Sequence, residues 1–555
     1  MTTLGVVGAG TMGAGIAQLG AAAGMRTLLH DPVPEALERG VAAARSGLAK
    51  WIEKGRVGRE TAELLEPVSA LDDLAPCDIV IEAAPERPDL KRDLFGALSL
   101  LCGDDVVLAT NTSSIPVTSL AGAAARPENV IGMHFFNPPP LMRLLEVIPA
   151  NQTGERALAL AKEVGQAMGK DVIVAADGPG FLVNRCGRPF SAEALRLLQE
   201  RVATHEQIDR ICRLGGGFRM GPFELMDLVG IDVGFEVAKS FTELSFGEPR
   251  WRPSPIQARM VAAGRLGRKT GRGYYEYAQG TPYRPEDPDP PEPGGGEGTS
   301  VAILGDGSVA DALRERARAA GYELREGGPS ELVVDAGVRP HPAPPGGAPL
   351  IVLCAGSSLL ARGEQGAVGF YLLPPLGGAA DGRAAESGAA AGRAGSGGGA
   401  DGGAAEGRGG DGGARGGGAA DGRAGDGGGR LVELTRLPTT PAFASDAAEE
   451  FFSRTGLVSE WVEDAPGLVL GRIVCQLVNE AAFAISEGVG SADDVDTGLT
   501  LGLSHPRGPV ATSEAIGVDH VLAVLDALWH ERREERYRAA PLLRRAATLG
   551  RGLRD

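Results

Sequence analysis

Residues 4–31 read LGVVGAGTMGAGIAQLGAAAGMRTLLHD, and this stretch decides the fold. Residues 4–8 are a short apolar run of strand character. Residues 11–24 have helical length and are rich in Ala and Gly. Residues 26–31 form a second strand-like run that ends in an acid. Strand, glycine turn, helix, strand, acid is the order a dinucleotide-binding βαβ unit requires. Gly8 permits the tight turn, Gly10 lets a pyrophosphate approach the backbone, and Gly13 allows close helix packing. The phosphates then meet free N–H groups at the helix N-terminus, beside Thr11 and Met12. Asp31 can accept both ribose hydroxyls, which favours NAD and disfavours a 2′-phosphate. A GxGxxG alone is weak evidence; the strand–helix setting and an acid about 20 residues on strengthen it.

Outward from this unit, strands are expected at 78–82, 105–109 and 130–134, with helices such as 35–54 and 88–101 between them. Strands alternating with helices imply a mostly parallel sheet. Around residue 178 the pattern changes to helices at 181–199, 205–214 and 222–246. Residues 279–298 are Pro, Gly and acids with nothing to bury, hence a linker. Residues 300–304 (SVAIL) open a second α/β pattern, and 466–488 and 518–536 are again helical. Residues 377–429 hold no apolar side chain larger than Ala and are expected to be disordered. The expected layout is a Rossmann-type NAD-binding domain (1–177), a helical domain (178–278), the linker, a degenerate Rossmann-like domain (299–445) carrying the 377–429 insert, and a second helical domain (446–555). The fold class is α/β followed by all-α, the pair repeated in degenerate form.

The repeat is legible directly. Residues 178–232 align with 465–519 at a constant offset of 287 without a gap. Pro179-Gly180 matches Pro466-Gly467, Arg185 matches Arg472, Glu193 matches Glu480, and Asp209 matches Asp496. Gly8-x-Gly10-x-x-Gly13 resembles Gly305-x-Gly307-x-x-Ala310, and Glu146 matches Glu433. The chain reads as a tandem duplication with a low-complexity insertion in the second copy.

Composition narrows the function. The chain has 555 residues and a net charge of −17, which argues against a nucleic-acid partner. Its six cysteines form no CxxC pair, so neither a disulfide framework nor a zinc site is indicated. The first residues show no basic segment followed by an apolar one, so no signal peptide is expected. No run of about 18 apolar residues exists, so no membrane span is expected. These features fit a cytoplasmic protein.

Chemistry concentrates in Asn111-Thr112-Ser113-Ser114, Gly132-Met133-His134-Phe135-Phe136-Asn137-Pro138 and Leu145-Glu146-Val147. His134 closes an expected strand, and parallel sheets bind ligands beyond their strand C-termini. Such a histidine alone is more often a satisfied core residue. Glu146 lies in an apolar stretch and is a poor choice for burial without a partner. A histidine with a nearby carboxylate suits a general base, because the acid fixes the tautomer and stabilises the imidazolium. Taken singly, Glu86 and Lys91 would be an exposed charge pair, and Ser113 a turn hydroxyl.

These segments, with PGFLVNR (179–185), GPFELMDLVGID (221–232) and GRLGRKTGRGYYEY (264–277), resemble the 3-hydroxyacyl-CoA dehydrogenases, continuously over 4–277 and more weakly beyond. The motifs occur in family order and spacing. The resemblance implies oxidation of an (S)-3-hydroxyacyl-CoA to the 3-oxoacyl-CoA with NAD, in fatty-acid or phenylacetate-type catabolism. It implies His134 as base, Glu146 as its partner, and Ser113 and Asn184 as holders of the substrate oxygen and the catalytic geometry. It places Glu86 and Lys91 near the nicotinamide and its ribose. The two-copy layout resembles the bacterial branch that includes 3-hydroxyadipyl-CoA and 3-hydroxybutyryl-CoA dehydrogenases. The second copy departs at the telling positions: Tyr371 stands for His134, Gly471 for Asn184, Ala310 for the third glycine. Two other readings compete: a non-catalytic nucleotide-binding structural protein, and a dehydrogenase of a free hydroxy acid. The intact first-copy set argues against the former. In the family the helical domain makes the contact between subunits, so the second copy is expected to supply that contact internally, as a pseudo-dimer. Acyl chain length, preference for a dicarboxylic chain, and further oligomerisation stay open.

Overall fold

The structure, a computed structural model, describes residues 2–326, 329–342, 347–374 and 429–555. The tract expected to be disordered, 377–429, lies outside the described residues except for Gly429.

The N-terminal unit is an eight-stranded sheet of β1 (Thr3–Val7), β2 (Arg26–His30), β3 (Leu65–Val68), β4 (Ile79–Glu82), β5 (Val107–Thr110), β6 (Val130–Phe135), β7 (Leu144–Pro149) and β8 (Asp171–Val174). Its order is β3-β2-β1-β4-β5-β6-β7-β8. All neighbours run parallel except β6 and β7, which pair antiparallel with His134 opposite Glu146. Strands buried on both faces read as continuous apolar runs, which is why LGVV and IVI stood out. The strands β3, β7 and β8 were not among those expected. Helices α1 (Thr11–Ala22), α2 (Pro34–Glu53) and α3 (Pro88–Leu101) follow β1, β2 and β4. The sheet order reverses between β1 and β4, so ligands are expected in the crevice beyond the C-terminal ends of these strands.

The first helical domain is built on the helix Val183–Gln199. The segment expected as one helix over 222–246 is two, Pro222–Val229 and Ile231–Leu244. Gly230 breaks it at φ 107°, a conformation that favours glycine. Asp209 caps the first of these, accepting from Phe223 N (2.9 Å) and Glu224 N (3.0 Å).

The second sheet comprises β9 (Ser300–Leu304), β10 (Glu323–Leu324), β11 (Leu332–Asp335), β12 (Leu350–Leu353), β13 (Val368–Tyr371), β14 (Leu431–Arg436) and β15 (Val458–Trp461). Its order, β10-β9-β11-β12-β13-β14-β15, repeats the first sheet without β3, and β13 and β14 are again the antiparallel pair. β15 hydrogen-bonds along β14, and the helix Ala442–Arg454 packs its Phe451 and Phe452 into the core. The second α/β unit therefore runs past the expected boundary at 445, to Trp461. The helical part resumes with Leu470–Ser486.

The two copies meet largely through equivalent residues, and several contacts have a mate displaced by 287 residues at both ends. Arg185 Nε donates to Glu480 (2.8 Å) and Arg472 Nη2 to Glu193 (2.6 Å). Arg185 Nη2 reaches Glu487 (2.7 Å) and Arg472 Nη1 reaches Glu200 (2.7 Å). Ala176 N donates to Val489 O (2.8 Å) and Glu463 N to Val202 O (2.9 Å). Such reciprocity is what a two-fold, isologous interface produces; here both halves belong to one chain. Arg472, Glu193 and Glu480 are buried. Buried charges persist only when paired and hydrogen-bonded. The interface also reaches β7 and the start of the helix Val183–Gln199: the helix Ala492–Leu503 lies on them so closely that a Cβ at Gly502 would come within 2.8 Å of Leu144 and 3.1 Å of Val183.

Candidate active site

The dinucleotide turn is built as its glycines require. Gly8 has φ 97°, and a Cβ there would lie 2.6 Å from Ala83 O. A Cβ on Gly13 would overlap the Gly8 carbonyl, so the helix could not sit where it does. Gly10 faces open space, and α1 starts with no side-chain cap and no acid in its first turn. Its leading N–H groups are therefore available to an anion, as a pyrophosphate demands. Asp31 closes β2 and fixes the turn: Oδ2 accepts from Ala9 N (2.8 Å) and Oδ1 from Val33 N (2.9 Å).

Along the same sheet edge stands an acid–lysine cluster. Lys91 is 1% exposed and lies between Glu82 (3.0 Å) and Glu86 (2.8 Å). It is thus no surface pair partner, as it would be if judged singly. Glu86 also gathers the NTSS turn, accepting from Thr112 Oγ1 (2.5 Å), Ser113 N (3.1 Å) and Ser114 N (3.2 Å). Burial works against the Glu86 charge, but Lys91 and the Thr112 and Ser114 hydroxyls hold its carboxyl below the ordinary range. Glu82 was not anticipated. It is fully buried, accepts from Thr110 Oγ1 (2.7 Å) and Ala84 N (2.6 Å), and burial pushes its carboxyl up despite Lys91. The signal was present: an acid closing an apolar strand at the ligand-binding edge.

His134 is the next-to-last residue of β6, and its Nδ1 lies 2.7 Å from Glu146 Oε2. Glu146 is completely buried, and its Oε1 accepts from Leu182 N (3.1 Å) and Val183 N (3.0 Å) at the start of the helix Val183–Gln199. A carboxylate at a helix N-terminus is favoured by the free N–H groups and the helix dipole. The imidazole packs against Phe136 (ring centroids 4.7 Å) and Phe181 (5.9 Å). Phe181 holds φ 51°, an unusual conformation for a bulky residue, and no sequence signal announced it. Asn111 Oδ1 accepts from Phe135 N (2.8 Å), tying the NTSS turn to the His134 strand. Ser113 is exposed on that turn, and Asn184 is half-buried one residue into the helix. The loop after β6 returns over α1, with Pro139 and Pro140 against Gly15. Lys170 clamps it, donating to Pro139 O (2.6 Å) and Met142 O (2.7 Å).

In the second copy the same positions are closed. Glu433 accepts from Val469 N (2.7 Å) and Leu470 N (3.0 Å), as Glu146 does from Leu182 and Val183, but opposite it stands Tyr371. Tyr371 is fully buried, and its hydroxyl lies 2.7 Å from His520 Nε2. Burial raises its phenol still further above 10. A Cβ at Gly471 would come within 2.5 Å of the Tyr371 ring, so the tyrosine occupies the space and the loss of a side chain at 471 accommodates it.

The fold and this sheet edge define a class of enzyme, an NAD-dependent oxidoreductase with a helical second domain. The chain belongs to the 3-hydroxyacyl-CoA dehydrogenase family. Residues 3–178 match the family model for the 3-hydroxyacyl-CoA dehydrogenase NAD binding domain, and residues 180–277 and 467–554 match the model for its C-terminal domain. The chain is 32% identical over 558 aligned positions to 3-hydroxyadipyl-CoA dehydrogenase of Escherichia coli K12, covering 99% of this chain and 98% of the relative. It is 41% identical over 276 positions to a probable 3-hydroxybutyryl-CoA dehydrogenase of Deinococcus radiodurans, which spans 49% of this chain and is itself covered to 99%. Among solved structures, a crystal structure of 3-hydroxybutyryl-CoA dehydrogenase from Escherichia coli K12 superposes with a TM-score of 0.73 at 30% identity, over 99% of this chain and 98% of that one. Among the described residues no helix is long and apolar enough to cross a membrane.

Proposed function

We propose that this chain oxidises (S)-3-hydroxyacyl-CoA thioesters to 3-oxoacyl-CoA with NAD, through a single site in its first half, in fatty-acid or phenylacetate-type catabolism. The observation that carries the reading is the buried His134–Glu146 pair beside an open dinucleotide turn. Gly8, Gly10, Thr11, Met12, Gly13 and Asp31 hold the dinucleotide, with Glu86 and Lys91 near the nicotinamide and its ribose. NAD, when bound, supplies the acceptor for the hydride that leaves C3. Glu146 engages Nδ1, which leaves Nε2 of His134 free to take the hydroxyl proton. The imidazolium so formed is stabilised by the carboxylate, which three donors hold in place. Ser113 and Asn184 fix the substrate oxygen, and positioning of this kind supplies much of the rate. The base itself contributes roughly 10²- to 10⁴-fold. Six unpaired cysteines are consistent with a reducing cytoplasm. The test is direct: purified protein should form NADH, read at 340 nm, from 3-hydroxybutyryl-CoA or 3-hydroxyadipyl-CoA and NAD. A free 3-hydroxy acid oxidised as well as its thioester would overturn the substrate assignment.

A further inference from the structure

One guanidinium near the site has no acid to meet. Arg188 lies four residues beyond Asn184 on the helix Val183–Gln199, on the same face and one turn on. Helical side chains lean towards the N-terminus, which carries Arg188 back towards the turn that bears Asn184. Its position is fixed. Nη2 donates to Gly234 O (3.0 Å), and the guanidinium carbon sits 5.3 Å from the Phe241 ring centroid. That ring packs on Gly180, where a Cβ would overlap it, and the next residue, Phe181, packs on His134. Phe241, Gly180 and Phe181 thus connect Arg188 to the His134 side chain in a row of packed groups.

The side chain is partly buried, and no acidic residue among those described pairs with it. Burial without a counter-charge pushes even this guanidinium down, to about 10. Arginine has five N–H donors in a planar fork suited to a carboxylate; here one donor is used within the chain. Arg188 lines a cavity of about 220 Å³ together with Ser191, Arg196, Arg252, Gln257 and Arg536. Arg196 is neutralised by Glu193 (2.8 Å) and Arg536 by Glu534, whereas Arg252, exposed, has no acidic partner among the described residues. The cavity is lined by four arginines, and the half-buried Arg188 is one of the two without an acidic partner among the described residues.

We propose that Arg188 receives the carboxylate at the far end of a dicarboxylic 3-hydroxyacyl chain, making it the residue that selects such chains over those ending in methyl. The proposal rests on the dehydrogenase reading above and deepens it. An acyl chain with its 3-oxygen at Asn184 and a carboxylate three carbons further runs along one helical turn, about 5.4 Å. A relative matched over the full chain is named for a substrate of this kind.

The test compares kcat/KM for 3-hydroxyadipyl-CoA and 3-hydroxyhexanoyl-CoA, equal in length and differing in the terminal carboxylate. The wild type should favour the dicarboxylic chain by at least about tenfold, the scale of a charge-assisted hydrogen-bonded pair. Arg188→Leu should bring the ratio of the two close to or below one, and Arg188→Lys should retain part of it. A wild-type ratio near one, or an Arg188→Leu ratio equal to that of the wild type, would overturn the assignment. A purely structural Arg188 gives the second result, because it lowers both rates together. Failure to form NADH from either thioester and from 3-hydroxybutyryl-CoA would instead bring down the dehydrogenase reading, and the proposal with it.

Discussion

Replacing Glu146 by Gln tests how the histidine is set up, because the variant keeps the shape and changes only the donor pattern. In the native site both oxygens act as acceptors: Oε1 takes two backbone N–H groups and Oε2 takes His134 Nδ1. An amide has one acceptor and one donor end. Its oxygen must face Leu182 N and Val183 N, since an NH₂ there would meet two donors in a fully buried space. The NH₂ then faces Nδ1, which must become the acceptor. The ring proton moves to Nε2, and the atom that should take the substrate proton is already protonated. The charge that stabilises the imidazolium is lost as well. Both effects remove general-base catalysis, so kcat should fall about 10²- to 10⁴-fold, equivalent to roughly 3–5 kcal/mol of barrier. KM for the thioester should change much less, because Glu146 reaches neither the acyl chain nor the CoA moiety in this reading. The assay is steady-state NADH formation with substrate carrying protium or deuterium at C3, so that a full isotope effect shows the chemical step to be rate-limiting. A Glu146→Gln enzyme within tenfold of the wild type under that condition would refute the reasoning.

Asp31→Ala should narrow the preference for NAD over NADP, since the carboxylate that repels a 2′-phosphate is gone; equal kcat/KM for the two cofactors in the wild type would contradict this. Glu433 gives a pH signature. Burial raises its carboxyl to about 8 from an ordinary 4.5, so the folded state holds this proton more tightly than the unfolded chain does. The wild type should therefore lose stability as pH rises from about 4.5 to 8, by at most about 1.4 kcal/mol per pH unit. Glu433→Gln lacks that loss, so its denaturation midpoint relative to the wild type should climb across the window; a constant difference would show that Glu433 is ionised throughout. A chain ending at residue 280 should dimerise or aggregate through the uncovered Val183–Gln199 helix, and a stable, fully active monomer by sedimentation would show that the second copy covers nothing.

Much of this was legible because the strongest signals are also the most local. The glycine turn, Asp31 and the apolar runs of β1, β2 and β4 each lie within a few residues, and their physical requirements are narrow. The His134–Glu146 pair was legible for another reason: a buried carboxylate needs a partner, and the antiparallel β6–β7 pairing provides it twelve residues away. What escaped depends on tertiary placement. β15 has little apolar character and pairs only because β14 offers it an edge, so the second α/β unit extends beyond 445. Glu82 looks like an ordinary strand end until Lys91 folds back over it. The offset of 287 showed that Arg185 and Arg472 are equivalent, but not that each crosses to the other copy's glutamates. Arg188 gave no signal at all, because an unpaired charge is visible only once its surroundings are.

The central claim is that one site per chain works, that it turns on His134, and that Tyr371 and Gly471 have closed the other. The full-length His134→Ala variant tests this most directly, since both copies are present. Its NADH formation from a 3-hydroxyacyl-CoA, measured with chemistry shown to be rate-limiting, should fall by about two to four orders of magnitude. A variant that keeps more than a tenth of the wild-type kcat would mean that another base, in this copy or the second, carries the reaction.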